Sequence, residues 1–405
     1  MVRDSYAHGQ LSVIRSLGRA GVPVHAVHEA RWVPNAQSRF QTPVVTRFDR
    51  MSEGDWLALL RGLARSLGHA VLIPVDELAA LFVDAHVAEL RGLFLLPDQP
   101  QGLSAEVADK VRLAERCRAT GVTTPWVFVP QDRGDLERFA ADTHYPVVLK
   151  SRDPRLLRQR PEAASVTIVG SAAELLTAYD AMERPEEPNL FVQQYLPGAT
   201  DASWIVSAYV GRRGDVTVCC GRKLRDHPPG RGGTTFAVSA PNAELESIAG
   251  SFLQEIGYRG IVDMCWRRPV DDPRYHLIDV NPRVGANFRL FAGTDGNDIV
   301  RMAYEDLTAG APGSLRTRAG RTFVVEPFDL WTLRSGDRPL AAYRAWLAGV
   351  RRADERAWAA RDDFRPVLAM VAVSAAGALR RHLRFSSRDR GKDARSRATR
   401  AAGGR

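Results

Sequence analysis

Apolar residues first recur at helical spacing from residue 10. Leu11, Ile14 and Leu17 fall on one face and Gly21 offers a stop, so residues 10–20 are expected as a helix. Val22-Pro23-Val24-His25-Ala26-Val27 then reads as a strand. The strand that should precede this helix is expected to be very short or cut off, with Met1–Asp4 as its end and a loop at Ser5–Gly9. The pattern repeats with a helix over 52–67, a strand over Ala70–Val75 and a helix over 77–90. Such alternation predicts a parallel α/β sheet, with ligands at the carboxyl ends of its strands. Asp4–Gly9 and Asp76-Glu77 are therefore candidate substrate-facing loops, although Asp76 would equally serve as a helix N-cap.

Pro97 and Pro100 mark a boundary. Ser104 is expected to cap a short helix, and Asp109-Lys110 to open a longer one ending at Gly121. From there strands dominate. They are expected at Val122–Phe128 after a bend, Tyr145–Lys150, Ser165–Val169, Leu190–Leu196, Ser203–Val210 and Asp215–Cys220. Helices are expected over 172–183 and 243–257, then strands over Ile261–Trp266 and Leu277–Val280. The rest reads as helical, over Gly296–Leu307, 338–349 and 354–383. Val367–Leu379 is apolar but too short to span a bilayer. It is expected to pack on the body; with Arg380, Arg381 and Arg384 beyond it, the alternative is a helix lying at a membrane surface.

The chain has 405 residues, room for two or three domains at roughly 150 residues each. Its 45% hydrophobic and 25% charged residues are those of a globular protein. The net charge of +9 is confined: Arg380–Arg405 carries +8, leaving +1 for everything before it. A nucleic-acid binder needs a basic folded surface with interleaved aromatics, and a nearly neutral body argues against one. Residues 386–405 are rich in Arg, Ser, Ala and Gly and are expected to be disordered, free to touch an anionic membrane weakly or only to solvate the protein. Cys117, Cys219, Cys220 and Cys265 show no metal spacing, so a reducing, cytoplasmic setting is expected. Met1–Ser5 contains no apolar stretch of the kind that opens a secretory signal.

The chemistry concentrates in Leu277-Ile278-Asp279-Val280-Asn281-Pro282-Arg283. Strand alternation puts Asp279, Asn281 and Arg283 on one face: a carboxylate, an amide oxygen and a guanidinium. Oxygen ligands suit Mg²⁺, and arginine suits phosphate. A solvated edge strand would carry the same residues. Asp263, in an apolar strand sixteen residues earlier, needs a cation near it, and a turn at Pro269–Arg274 would bring the two strands together. Lysine is rare, four residues against 52 arginines, so Lys110, Lys150 and Lys223 stand out as places that need a compact ammonium. Gly221-Arg222-Lys223-Leu224-Arg225, next to the loop Pro228–Gly233, suits an anionic ligand. No Ser/His/Asp or Cys/His set for nucleophilic catalysis is evident.

In this order the motifs resemble the ATP-grasp superfamily, specifically its uncharacterised carboxylate–amine ligase branch. The resemblance covers roughly residues 5–310. It runs through Asp109-Lys110 with Gly121–Pro125, Pro146–Lys150, Val192–Gly198, Gly221–Arg225 with Pro228-Pro229 and Gly232, Gly260–Asp263 and Leu277–Arg283. It implies a pre-ATP-grasp α/β domain over 1–100, a small lid-bearing domain over 101–195, a catalytic α+β domain over 196–325, a helical extension over 326–385 and a basic tail over 386–405. It also implies roles. Lys110 and Lys150 would contact ATP phosphates; Gln193, Gln194 and Leu196 would hold adenine; Asp201 stands near the position of a ribose-binding acid. Asp263, Asp279 and Asn281 would bind Mg²⁺, two ions by the family pattern, with Mn²⁺ as a substitute. Arg283 would stabilise the phosphoryl and tetrahedral intermediates, and Lys223 and Arg225 would address phosphate or the acceptor carboxylate.

This chain departs from the family pattern at four places. Gln193, Asp263 and Asp279 stand where glutamate is usual, and residues 151–164 lack the glycines of a phosphate loop. The implied activity is ATP-dependent joining of a small carboxylate to an amine, amino-acid-like or peptide-like by analogy, through an acylphosphate. A homodimer is compatible with it. The alternatives are a bicarbonate or phosphate acceptor within the same fold, and a catalytically silent nucleotide-binding module.

Overall fold

The structure, a computed structural model, describes residues 8–47, 50–152, 166–183, 186, 188–228, 232–309, 313–334 and 339–375. Its residues divide into two compact units. The described residues up to Arg50 and from Trp358 onward form one of them. Helix α1 (His8–Arg19) buries Leu11, Ile14 and Leu17 as its spacing predicts, and strands β1 (His25–His28) and β2 (Thr42–Val45) pair in parallel. The polar exception on α1 is Arg15. It is buried, and its guanidinium donates to Asp363 Oδ2 (2.9 Å) and to the carbonyls of Trp358 (2.9 Å) and Asp363 (2.8 Å). A buried guanidinium without such partners would be costly, so these bonds hold the 358–363 segment against α1. The helix over residues 365–375 buries Met370 and leaves Leu368 and Val371 more than half exposed, and residues 376–379 of the expected apolar stretch lie outside the described residues. The expected basic tail and residues 1–7 lie outside the described residues.

The second unit spans residues 51–357, so the expected 1–100 domain is divided between the two. It opens with α2 (Glu53–Leu67), whose N-terminus is closed by a Ser52–Asp55 capping box. The strand expected at Ala70–Val75 is reduced to a single parallel bridge, Val71 to Leu95. The helix expected over 77–90 breaks at His86 into α3 (Glu77–Ala85) and α4 (Val87–Leu90). Asp76 caps α3, accepting from Ala79 N at 2.8 Å. Helix α5 (Leu103–Ala108) starts from Gly102, held at φ 86°, and not from Ser104, whose Oγ accepts from Gln99. Helix α6 (Lys110–Ala119) is capped by Asp109 as expected.

A small antiparallel sheet follows. It contains β3 (Val127–Phe128), β4 (Val147–Ser151), β5 (Val166–Val169) and β6 (Leu190–Gln194), in the order β3-β6-β4-β5. Helices α7 (Arg133–Asp142) and α8 (Ala172–Met182) cover it, and Leu136, Leu149, Leu175 and Val192 form its core. Sequence patterning missed α7, whose start is set by the Asp132 cap.

The larger sheet holds β7 (Ser203–Val210), β8 (Val216–His227), β9 (Gly233–Ser239), β10 (Gly260–Arg267), β11 (His276–Asn281), β12 (Thr322–Val324) and β13 (Glu355–Arg356). Their order is β11-β10-β7-β8-β9-β12-β13, antiparallel except for β12–β13. Helix α9 (Ala243–Glu255) and α5 cover one face, where Val206, Val262, Met264 and Trp266 are buried. Helix α10 (Ile299–Ala309) packs near β7 and β10, and α11 (Glu326–Arg334) and α12 (Leu340–Arg352) lie beyond, with α11 against β8 and β9. Strand β10 alternates strictly, so Asp263 and Cys265 face away from the α9 core. No helix among the described residues is long and apolar enough to cross a membrane.

Candidate active site

The floor of the site is the β10–β11 pair. Asp263 stands directly opposite Asn281, and Cys265 opposite Asp279. The register slips beyond Cys265, so Trp266 pairs with Leu277 and Ile278 is the extra residue of a bulge. Plain alternation would put Leu277 on the face of Asp279. The bulge instead buries Leu277 in the α9 core beside Trp266, while Asp279 and Asn281 share a face with Asp263 and Cys265. Arg283, just past the strand, donates to Asn281 Oδ1 at 3.1 Å and to the Val284 carbonyl at 2.9 Å, and lies 3.9 Å from Asp263. Burial pushes the Asp263 carboxyl up to about 6; Arg283 and Lys223 work against that rise, and Asp279 adds to it.

Two lysines approach this floor. Lys110, the first residue of α6, donates to Asp279 Oδ1. Burial alone would lower the Lys110 ammonium, but Asp279 outweighs it, with help from Glu77, and the group is held above its ordinary value. Burial would raise Asp279, yet Lys110, Lys150 and Arg283 together hold it below the usual carboxylate range. Lys150, on β4, donates to Gln193 Oε1 on β6 at 2.5 Å. Burial, with Lys110 nearby, drops its ammonium to about 8 despite the attraction of Asp279. The lysine of the small sheet, the lysine of α6 and the carboxylate of the large sheet thus act on one another across elements far apart in sequence. Lys223 is a third ammonium near Asp263, and its Nζ donates to the Gly232 carbonyl at 3.0 Å.

Arg225 takes a course of its own. The ladder slips at Leu224 and again before Asp226, so Lys223 pairs with Ala237 and Arg225 with its neighbour Phe236. Adjacent strand residues point to opposite faces. Arg225 therefore leaves the face of Lys223 and forks onto buried Asp329 at 2.8 and 2.6 Å, with Thr235 and Trp346 donating to the same carboxylate.

In the expected adenine segment Gln193 is buried, Gln194 Oε1 accepts from Trp126 N at 3.3 Å, and Leu196 is buried. Arg267 escaped the sequence reading. It donates to the carbonyls of Leu196 (3.0 Å) and Gly198 and to Ser203 Oγ (2.8 Å), fixing the course of the chain after β6. Asp201 lies in a short turn, Thr200–Ala202; its side chain, like the 153–165 part of the expected phosphate loop, is outside the described residues.

Gly285 also escaped notice. A Cβ there would lie 2.2 Å from Asp263 Oδ1, so only glycine leaves room beside that carboxylate. Its one sequence signal is its place two residues after Arg283. Cys265, between the two carboxylates, is pushed up to about 12 by burial and by both neighbours, so it is a neutral thiol and no nucleophile. All four cysteines are unpaired thiols.

Among the described residues no three His, Cys, Asp or Glu side chains gather into a metal cage. The donors present are two carboxylates and one amide oxygen, the set that suits Mg²⁺ when phosphate oxygens and water complete its shell. Asp263 is a desolvated carboxylate short of positive charge, with the space beside it kept open by Gly285, and Asp279 already holds an ammonium. These residues fit a hard divalent cation.

No family model matches the chain, and no curated protein matches it by sequence. Solved structures do match. The chain is similar to the biotin carboxylase domain of 2-oxoglutarate carboxylase from Hydrogenobacter thermophilus, solved as a dimer with MgADP, ADP and bicarbonate: TM-score 0.59, 17% identity, 78% of this chain and 71% of that one. It is similar to the L-amino acid ligase of Bacillus licheniformis: TM-score 0.59, 15% identity, 78% and 77%. It is also similar to the N5-carboxyaminoimidazole ribonucleotide synthetase of Thermus thermophilus: TM-score 0.57, 18% identity, 78% and 79%. At these identities the likeness is one of fold.

Proposed function

The chain has the ATP-grasp fold, and from that premise we propose that it is an ADP-forming ligase joining a carboxylate to an amine. The observation that carries the reading is the convergence of Lys110 and Lys150 on Asp279, beside Asp263, Asn281 and Arg283. Triphosphate is the ligand whose charge this set complements. Gln193, Gln194 and Leu196 hold the adenine end, where the Arg267 bonds keep the backbone in place. Lys110 and Lys150 take the phosphates. Asp263, Asp279 and Asn281 would hold Mg²⁺, which when bound would neutralise phosphate oxygens.

The substrate carboxylate attacks the γ-phosphorus, the bond to the bridging oxygen breaks, and ADP and an acylphosphate result. The amine then adds to the carbonyl carbon, phosphate leaves, and the surplus amine proton passes to phosphate or water. Arg283 and Lys223 face the charge that develops on the phosphoryl group and the tetrahedral oxyanion. The protein contributes position and charge, and no covalent enzyme intermediate is needed. Arg225, committed to Asp329, is not in this set.

ADP release in the presence of both a carboxylate and an amine tests the reading, with Lys150→Ala and Asp279→Ala as controls. Product formed at an unchanged rate in both variants would sink the site assignment. ADP release with bicarbonate alone would move the chain to the carboxylase outcome.

A further inference from the structure

Resting on the ligase reading, the geometry points to a subsite for a short, branched aliphatic side chain on the substrate carboxylate. It is a cavity of about 90 Å³ next to Arg283. Its walls are mostly apolar: Leu72, Ile73 and Pro74 before α3, Ala80 and Val83 on α3, and Val284 after Arg283.

Three links tie this cavity to the chemistry. Arg283 lines it and also joins Asn281 and approaches Asp263. Ile261 lines it, and on β10 it lies two residues before Asp263, hence on the same face. Pro74 lines it, and three residues later Glu77 is close enough to Lys110 to raise its ammonium. The cavity therefore adjoins the carboxylate floor and sits beside the guanidinium.

The polar groups in the wall, the Arg259 guanidinium apart, are already engaged. Asp84 Oδ1 accepts from Gly102 N at 3.1 Å. Gln99 Oε1 accepts from Arg259 N at 2.9 Å, and its amide donates to Ser104 Oγ at 2.7 Å. Tyr258 donates to the Ile261 carbonyl at 3.0 Å, and Arg259 to the Tyr258 carbonyl at 2.7 Å. A polar substituent would meet groups bonded elsewhere and lose its water without return. Arg283 stands beside the metal-site residues: it has five N–H donors, and its hydrogen bonds to Asn281 and Val284 leave some for a carboxylate at the mouth. Its volume exceeds the ~10–15 Å³ that one water needs and falls short of the ~150 Å³ that admits benzene. A side chain of three or four carbons therefore suits it better than an aromatic ring.

The test is calorimetric binding of glycine, valine, leucine, phenylalanine and aspartate to the full chain with Mg²⁺ and a non-hydrolysable ATP analogue, alongside ADP release with each acid and an amine. Each buried methylene is worth roughly fourfold in affinity. Valine and leucine should therefore bind at least tenfold more tightly than glycine, aspartate or phenylalanine. Ala80→Leu should erase that preference and leave MgADP affinity unchanged. Val83→Ala, which enlarges the cavity with little risk to folding, should shift preference toward phenylalanine. Equal binding of glycine and leucine, or a ratio indifferent to both variants, overturns the subsite, as does the absence of binding by any aliphatic acid. Tight leucine binding without ADP release upholds the subsite and overturns the ligase reading. ADP release at one kcat/KM for all five acids does the reverse.

Discussion

Lys110 Nζ donates to Asp279 Oδ1, joining residues 169 apart in the chain. One is the first residue of a helix and the other lies in the strand that forms the floor of the site. The cap of that helix, Asp109, in turn accepts from Arg152 at 2.7 Å, just past the lysine of the small sheet. The ammonium thus helps to hold the buried Asp279 carboxyl below its ordinary range.

Because the two side chains act as a unit, their losses should not add. Lys110→Met and Asp279→Ala are each expected to lower kcat/KM for ADP release at least 100-fold, on the order of a lost charge stabiliser. The double variant should fall little further. Full additivity in a double-mutant cycle would show that the pair is not coupled.

Lys150 should make nucleotide binding pH-sensitive. Burial and Lys110 lower its ammonium to about 8, so it is charged below that pH and neutral above it. ADP affinity should hold to pH 7.5 and weaken roughly tenfold by pH 9, as the charged fraction falls. Lys150→Arg keeps its charge throughout and should give a flat profile. Titration by calorimetry at four pH values decides it.

Asp263 carries a stability cost in the ligand-free protein. Its folded value, pushed up to about 6 by burial, lies above the unfolded value near 3.9. The stabilising proton is fully present below pH 4 and lost as pH rises through 6. At pH 7 the penalty is on the order of 3 kcal/mol. Asp263→Asn should raise Tm at pH 7 but much less at pH 4.5, and added Mg²⁺ should raise its Tm less than that of the wild type. A variant no more stable at pH 7 would contradict this.

Gly285→Ala should disturb one carboxylate and little else. Its Cβ would lie 2.2 Å from Asp263 Oδ1, and the displacement should cost about 1–3 kcal/mol in stability. Moving that oxygen by even an ångström should lower kcat/KM about 100-fold. Circular dichroism and ADP release on the same sample separate misfolding from misplacement.

Arg225 should prove a stabilising residue. Among the described residues, Arg225→Met leaves fully buried Asp329 with the Thr235 and Trp346 donors. The loss should be on the order of 2 kcal/mol, below the range for a fully buried pair because the guanidinium is 43% exposed. The kcat/KM should stay within about threefold of wild type. A folded variant with collapsed activity would return Arg225 to the catalytic set.

Local pattern was enough to place β4, β6, β10 and β11 and to single out Lys110, Lys150, Asp263, Asp279, Asn281 and Arg283, because strand alternation and residue chemistry are written within a few positions. The rest depends on pairing between distant segments. The bulge at Ile278 keeps Leu277 in the core while Asp279 faces the site, and the slip at Leu224 sends Arg225 to Asp329; neither register is visible in one strand alone. Residues 70–75 have the composition of a strand but make only one bridge, whereas β9 and β12 exist because neighbours pair with them. Gly285 matters only because Asp263 is folded against it, and Lys110 meets Asp279 only once α6 has docked on β11. Sequence determined which groups were available for phosphate and metal; the three-dimensional packing decided which of them share a face, because register, burial and charge coupling belong to contacts between residues far apart in the chain.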